Sequence, residues 1–192
     1  YVCEALVRAG IGAIEIVDKD TIDRTNINRQ LIALNSTVGR AKVDVERERL
    51  KDINPEIEIE ARRIFYTPES ASEFDFSRYD YVVDAVDNVT AKIDIICRCK
   101  EAGVPVISSM GTGNKLDPLA FKVSDIEDTK VCPLAKIVRK ELRKRGIRGI
   151  KAVYSEEEPV NTGGRAPASI SFVPSAAGLL IASEVIKDLI KK

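Results

Sequence analysis

The sequence has no histidine among its 192 residues. This absence excludes Ser-His and Cys-His nucleophilic catalysis and every histidine-ligated metal site within these residues. Acidic and basic residues are equal in number, 30 of each, so a local patch rather than the overall field must hold any anionic partner. Composition alone therefore gives no indication of a nucleic-acid partner.

Cysteines and long apolar runs are also scarce. The four cysteines, Cys3, Cys97, Cys99 and Cys132, form no CxxC pair, so neither a zinc ribbon nor a thioredoxin-type redox motif is indicated. The longest uncharged run near the C-terminus, residues 170–183, is interrupted by Pro174 and is too short to span a bilayer. We therefore predict free thiols in a reducing compartment, a cytoplasmic location and no membrane association.

Short apolar segments alternate with amphipathic ones, as is typical of an α/β protein. Strands are predicted at residues 13–17, 56–64, 81–86, 104–108, 119–123 and 152–154, and helices at 1–9, 38–53, 90–102, 134–148 and 178–190. Ser36-Thr37 is the predicted cap of the second helix, and Gly10 and Gly103 are predicted helix terminators. We predict a single domain over residues 1–192. Its fold is α/β and Rossmann-like, with a mostly parallel sheet, helices on both faces and a few additional antiparallel strands.

Two segments of such a fold lie outside these elements. Because the chain begins within a helix, the strand and Gly-rich phosphate-binding loop that come before that helix are expected upstream of Tyr1. Residues 156–164, which contain three successive glutamates and two glycines, are predicted to form a mobile loop.

A polar turn, residues 18–30, follows the predicted strand at 13–17. Ligands bind at the carboxyl ends of the strands of open α/β sheets, and Asp18 at that position can accept both hydroxyls of a ribose. Arg29 offers a fork of donors suited to phosphate oxygens, and Asn26 and Gln30 add neutral donors. The polar turn thus predicts a nucleotide site, with a capped, solvated turn before a helix as the alternative.

Two further candidates come from other elements. Lys42 lies near the start of the second helix and is expected to face back toward the polar turn, or else to be a solvated surface lysine. Asp87 and Asn88 follow the apolar strand at 81–86, so a second carboxylate reaches the carboxyl edge of the sheet, as a metal or phosphate-side candidate. Asp84 lies inside that strand and is expected to pair with a buried donor, because an unpaired buried carboxylate is costly.

The predicted helix at 134–148 carries a basic stripe with almost no acidic interruption. Its members are Lys136, Arg139, Lys140, Arg143 and Lys144. A solvated face is the usual reason for such a run, and a track for RNA phosphates is the alternative.

Taken in order, these motifs resemble the adenylation domain of the ubiquitin-activating enzymes and their bacterial relatives. The ordered set is Asp18-x-Asp20, Asn26-x-x-Arg29-Gln30, Gly39-Arg-Ala-Lys42 and Asp84-Ala-Val-Asp87-Asn88. Segments 109–118, 131–135 and 171–178 are similar to one branch of that family, the enzymes that dehydrate threonylcarbamoyladenosine in tRNA. Relatives that act on ubiquitin-like proteins usually carry two CxxC zinc pairs, and their lack here favours the dehydratase branch.

The resemblance implies a role for each motif residue. Asp18 would hold the ATP ribose, Asn26 and Arg29 would reach the phosphates, Lys42 would stabilise the triphosphate, and Asp87 would bind Mg²⁺. Asp20, Gln30 and Asn88 complete the implied ATP site, and Arg29, Lys42 and Asp87 are its implied catalytic residues. These side chains are expected to converge, and the family implies a homodimer.

The implied reaction is attack by a substrate carboxylate on the α-phosphorus of ATP, which needs no general base because a carboxylate is ionised at neutral pH. Ring closure on the tRNA nucleotide then releases AMP. The alternatives are adenylation of the C-terminus of a small ubiquitin-like sulfur-carrier protein, a nucleotide-binding scaffold or sulfur-relay partner, and a nicotinamide dehydrogenase. Cys132 is a candidate acyl or sulfur carrier.

Overall fold

The computed structural model describes residues 1–160, 163 and 167–191. The chain divides into two compact units, residues 1–66 and 67–192, which are described one at a time. Of the mobile loop predicted at 156–164, residues 161, 162 and 164 lie outside the described residues. The single-domain organisation stays a prediction.

The first unit contains two helices and a parallel pair of strands. Its elements are α1 (Val2–Arg8), β1 (Ala13–Val17), α2 (Lys42–Ile53) and β2 (Glu58–Arg62). β1 pairs in parallel with β2, with Ala13 opposite Glu58 and Val17 opposite Arg62. Val7, Leu50 and Ile57 form a buried cluster that joins the two helices to this pair. The unit thereby fixes the carboxyl end of β1, from which the polar turn leaves.

The second unit contains a four-stranded sheet. Its elements are β3 (Val82–Asp84), α3 (Val89–Ala102), β4 (Val106–Ser109), β5 (Phe121–Asp125), α4 (Pro133–Lys144), β6 (Lys151–Ser155) and α5 (Phe172–Leu189). The strand order is β3-β4-β6-β5. β3, β4 and β6 are parallel, and β5 is antiparallel to β6. These features confirm the predicted mixed α/β class, with a mostly parallel sheet and an added antiparallel strand.

Three helix boundaries differ from the predictions. The helix predicted from the Ser36-Thr37 cap begins only at Lys42, because the Thr37 hydroxyl accepts from the Leu34 N–H and donates to the Ile32 carbonyl in a separate turn. α4 ends at Lys144 rather than at residue 148, and Gly146 there has a φ of +70°. α5 begins at Phe172, earlier than predicted. Pro174 lies in its first turn, where backbone N–H groups have no helical acceptor.

Candidate functional site

The polar turn is held against the start of α2 by a short antiparallel contact. Thr21 bridges Ala41, the Ile22 N–H donates to the Arg40 carbonyl at 2.8 Å, and the Lys42 N–H donates to the Asp20 carbonyl at 3.0 Å. Ile22 is buried beside Ala33 and Val45 and anchors the turn. The first residue of α2 is therefore fixed beside the residues that follow β1.

This contact places a lysine between two carboxylates. The Lys42 Nζ lies 3.0 Å from Asp20 Oδ2 and 3.6 Å from Asp18 Oδ2, and Asp18 Oδ1 accepts from the Asp20 N–H at 2.8 Å. The hydrogen bond from Lys42 lowers the pKa of the Asp20 carboxyl below its ordinary value. The side chain of Lys42 is 14% exposed, against 41% for Asp18 and 48% for Asp20. The prediction that Lys42 faces back toward the polar turn is confirmed, and the solvated-lysine alternative is not supported.

Asn26 supports the polar turn from within. Its Oδ1 accepts from the Asp23 N–H at 3.0 Å, as part of a capping box with Asp23 around the 3₁₀ turn at 24–26. The Asn26 carbonyl accepts from the N–H groups of Arg29 and Gln30 at 3.1 and 2.9 Å. Asn26 is buried. The structure thus gives Asn26 a positioning function for the turn that the sequence motif did not reveal.

Arg29 is half-buried at the end of the same turn. Its guanidinium donates to the Thr25 carbonyl at 3.1 Å and to Asn28 Oδ1 at 2.9 Å. Within residues 1–160, 163 and 167–191, no carboxylate forms an ion pair with Arg29. Its charge is therefore available to an anion, as a phosphate-binding role requires.

Asp87 and Asn88 lie in the second unit, in the short connection between β3 and α3. The strand predicted to reach residue 86 ends at Asp84. Asp87 is exposed, and Asn88 Oδ1 caps α3 by accepting from the Ala91 N–H at 3.0 Å. No group of three or more acidic or cysteine side chains that could hold a metal occurs among the described residues. A single exposed carboxylate nevertheless fits Mg²⁺, which commonly takes one or two carboxylates together with substrate phosphates.

Beneath Asp87, a buried ion pair fastens α3 to the sheet. Lys92 Nζ lies 2.8 Å from Asp84 Oδ2 and 2.9 Å from the Ser109 carbonyl, and Ser108 Oγ donates to Asp84 Oδ2. Asp84 and Lys92 are both fully buried. Burial raises the pKa of Asp84, and the Lys92 ammonium counteracts this by stabilising the carboxylate. The predicted donor for Asp84 is confirmed. The sequence analysis did not identify Lys92 as this donor. Its position among the apolar residues of α3 was the signal that could have identified it.

The structure brings Asp18, Asp20 and Lys42 into contact, with Asn26, Arg29 and Gln30 in the turn beside them. Asp87 and Asn88 belong to the second unit. The convergence of the two sets, and their roles at a nucleotide, stay predictions.

The basic stripe on α4 is partly neutralised by two carboxylates, Glu141 within the helix and Glu127 before it. Arg143 Nε lies 2.7 Å from Glu127 Oε2, and Lys144 Nζ lies 2.6 Å from Glu141 Oε1. Arg139 donates to the Thr129 carbonyl at 2.7 Å. Lys136 and Lys140 are exposed and have no ion pair within the described part of the chain. Four of the five stripe residues line a cavity of about 300 Å³: Lys136, Arg139, Lys140 and Arg143.

The four cysteines are free thiols. Burial raises the pKa of Cys3 and of Cys99 to about 12, which suppresses their thiolate forms at neutral pH. Cys132 is buried and is the residue that comes before α4. Over the described residues, no helix has the length and apolar character needed to cross a membrane.

Known proteins similar to this chain include tRNA-modifying enzymes. The tRNA threonylcarbamoyladenosine dehydratase of Bacillus subtilis (strain 168) is 43% identical over 209 residues, which cover 100% of this chain and 82% of that protein. The enzyme of that name from Haemophilus influenzae matches over 55% of its length, and the tRNA threonylcarbamoyladenosine dehydratase 2 of Saccharomyces cerevisiae over 36% of its length. The crystal structure of E. coli tRNA N6-threonylcarbamoyladenosine dehydratase, TcdA, in complex with ATP has a TM-score of 0.92 and 33% identity. That match covers 99% of this chain and 80% of that chain.

A second group of relatives matches over a shorter stretch. The adenylyltransferase and sulfurtransferase MOCS3 of Culex quinquefasciatus is 38% identical over 103 residues, or 54% of this chain and 23% of that protein. The model of the ThiF family matches residues 1–192, which is the whole chain. The chain therefore belongs to the ThiF family.

Proposed function

We propose that this chain catalyses the ATP-dependent dehydration of threonylcarbamoyladenosine in tRNA, through adenylation of the threonyl carboxylate. The observation that carries the proposal is the Asp18, Asp20 and Lys42 cluster at the carboxyl end of β1. It occurs in a chain that is similar throughout its length to a dehydratase crystallised with ATP. The similarity to dehydratases extends over the whole chain, whereas that to sulfurtransferases covers about half of it.

In this proposal, the first unit supplies groups for the ribose and the phosphates. Asp18, with Oδ1 already bound to the backbone, accepts from the ribose hydroxyls through its exposed carboxylate. Lys42 and Arg29 provide positive charge for the phosphates, and Asp20 holds Lys42 in place before nucleotide binds. The Asn26 carbonyl accepts from the N–H groups of Arg29 and Gln30 and so keeps both residues at the end of the turn. This arrangement preorganises charge, which is the largest contribution that such a site can make to the transition state.

Asp87 is the proposed ligand of Mg²⁺, with Asn88 beside it at the start of α3. A bound Mg²⁺ supplies neutralisation of phosphate charge and orientation of the triphosphate. Asp87 and Asn88 contribute by keeping an acceptor exposed at a helix start, where Asn88 fixes the backbone by its cap.

The chemistry proposed for these residues needs no histidine. A threonyl carboxylate oxygen attacks the α-phosphorus, the bond to the β-phosphate oxygen breaks, and pyrophosphate leaves. The ureido group of the same nucleotide then attacks the activated acyl carbon, loses its proton and displaces AMP. Because this ring closure is intramolecular, proximity supplies most of the acceleration.

The proposal is tested by AMP release from ATP with tRNA that carries threonylcarbamoyladenosine, against the same tRNA without the modification. We expect AMP and the cyclised nucleotide only in the first case. Exchange of labelled pyrophosphate into ATP that depends on a small ubiquitin-like protein, and not on tRNA, would contradict this function. It would instead support activation of a sulfur-carrier protein.

Lys42→Met is expected to reduce kcat/KM for AMP formation by about 10², because one preorganised phosphate contact is lost. The same change is expected to raise the pKa of the Asp20 carboxyl toward its ordinary value, since the hydrogen bond that lowers it is removed. Steady-state kinetics and a carboxyl ¹³C titration measure the two effects. The matched control is Lys51→Met, at the other end of α2, where Lys51 donates to the Pro55 carbonyl. An equal loss in both variants would assign the effect to helix stability.

We propose that Lys136 and Lys140 contact tRNA phosphates, because they are the stripe residues that no carboxylate or backbone carbonyl of the described residues holds. Their double replacement by alanine is expected to weaken tRNA binding and to reduce the dependence of log K on log salt concentration by about 2. Fluorescence anisotropy at several salt concentrations measures this. Lys144→Ala with Arg145→Ala is the control, because both side chains pair with Glu141. If both double variants weaken tRNA binding equally, the positive charge of the whole surface, and not contacts of Lys136 and Lys140, would explain the binding.

We also propose a cytoplasmic homodimer, on the family resemblance, with a sulfur-relay protein as a further partner. Sedimentation velocity on the purified chain tests the proposed dimer. A monomer at micromolar concentration would contradict it.

A further inference from the structure

Two lysines among the described residues of the second unit are buried, and only one of these two has an acidic partner there. Lys92 is paired with Asp84. Lys115 is 4% exposed, and its ammonium donates to the carbonyl of Glu157. No carboxylate within the described residues forms an ion pair with Lys115, and none of residues 161–166 is acidic. A buried ammonium without a counter-charge is costly to maintain.

Glu157, whose backbone carbonyl accepts from Lys115, has a carboxylate that is already engaged. The Glu157 side chain accepts from the Leu116 and Asp117 N–H groups, each at 2.9 Å. Its oxygens therefore hold the backbone after Lys115 instead of neutralising the ammonium. Glu157 thus positions Lys115 through its carbonyl and its carboxylate at once.

The residue before Lys115 is also fixed. Asn114 has a φ of +59°. Its backbone N–H donates to the Ala168 carbonyl at 2.8 Å and its carbonyl accepts from the Val160 N–H at 2.7 Å. Its side chain accepts from the Ala168 N–H at 2.7 Å. Asparagine adopts this left-handed conformation more readily than most residues with a side chain, and the three hydrogen bonds hold Asn114 in it.

This fixed lysine lies in the loop that leaves the carboxyl end of β4. Glu157 follows the carboxyl end of β6, which pairs in parallel with β4, and Asp87 follows β3 on the other side of β4. The carboxyl ends of parallel strands meet at one edge of a sheet, and ligands of open α/β sheets bind there. The uncompensated ammonium is therefore built into the ligand-binding edge of the second unit.

We propose that Lys115 is a specificity-determining residue that binds an oxyanion of the substrates, either the threonyl carboxylate or the nucleotide phosphate. This inference rests on the proposed function. The bound oxyanion supplies the counter-charge that the described residues do not provide, so Lys115 discriminates in favour of a substrate that carries the anion.

The test compares Lys115→Met with Lys115→Arg, and uses Lys100→Met as the control, since Lys100 is exposed in the last turn of α3. We expect Lys115→Met to lose at least about tenfold in kcat/KM while its thermal midpoint stays near that of the wild type, and Lys115→Arg to recover part of the activity. Stabilisation by AMP in excess of that by adenosine separates the two anions. Its loss in Lys115→Met identifies the phosphate, whereas an unchanged excess with a raised KM for modified tRNA identifies the carboxylate.

Two results would overturn the proposal. One is unchanged kcat/KM, KM and AMP stabilisation in Lys115→Met. The other is a drop in activity that follows a lower thermal midpoint and that Lys115→Arg shares in full, as a structural lysine would show. If the wild type fails to act on modified tRNA, the proposed function fails by itself. The AMP and adenosine comparison then still decides whether Lys115 binds an anion.

Discussion

Asp87→Ala is expected to lower kcat/KM for AMP formation by about 10³, because it removes the proposed carboxylate ligand of the nucleotide-bound Mg²⁺. The exposed position of Asp87 after β3 means that its loss leaves no buried group unpaired. The fold should therefore persist, with an unchanged thermal midpoint. Initial rates of AMP release at saturating modified tRNA, measured over a range of Mg²⁺ concentrations, give the effect.

A second variant and a control separate a metal-binding role of Asp87 from its other possible roles. Asp87→Asn keeps the shape and an oxygen ligand but loses the charge, so it should retain more activity than alanine and should require more Mg²⁺. Asp128→Ala, an exposed aspartate at the end of the 3₁₀ turn at 126–128, serves as the control. Wild-type rates in Asp87→Ala, with an unchanged Mg²⁺ requirement, would contradict a role of Asp87 as a metal ligand.

The two carboxylates at strand ends could be found from sequence because the signal is local. An apolar run that stops at a carboxylate predicts both the strand and the residue that follows it, as at Val17 and Asp18. The same holds for α3, which begins at Val89 and ends before Gly103, whose φ is +70°. Each of these features depends on residues within a few positions of each other.

The features that sequence reasoning missed depend on partners far along the chain. The start of α2 is delayed because Ala41 bridges Thr21, a contact that no helix propensity at Ser36 or Thr37 contains. The charge of the α4 stripe is reduced because Arg143 meets Glu127, which precedes the helix. In both cases a tertiary contact changes a pattern that was locally well formed.

Lys92→Met is expected to reduce the free energy of unfolding by about 3–5 kcal/mol, because it leaves the Asp84 carboxylate buried without its ammonium partner. Lys100→Met in the same helix removes an exposed lysine and should change the free energy of unfolding by less than about 0.5 kcal/mol. Urea unfolding of both variants measures the difference. A loss in Lys92→Met no larger than in Lys100→Met would mean that water or a structural shift compensates Asp84.

The pH dependence of Lys92→Met gives a second, independent sign. Burial raises the pKa of Asp84, and without Lys92 nothing of opposite charge opposes that rise, so the folded-state pKa exceeds that of the unfolded chain. A group with a raised folded-state pKa contributes stability at low pH and loses it as pH rises. The deficit of Lys92→Met should therefore be smallest in acid and grow toward neutral pH. Asp84→Leu combined with Lys92→Met should lose less than the sum of the single changes, because an apolar pair leaves no buried charge unpaired.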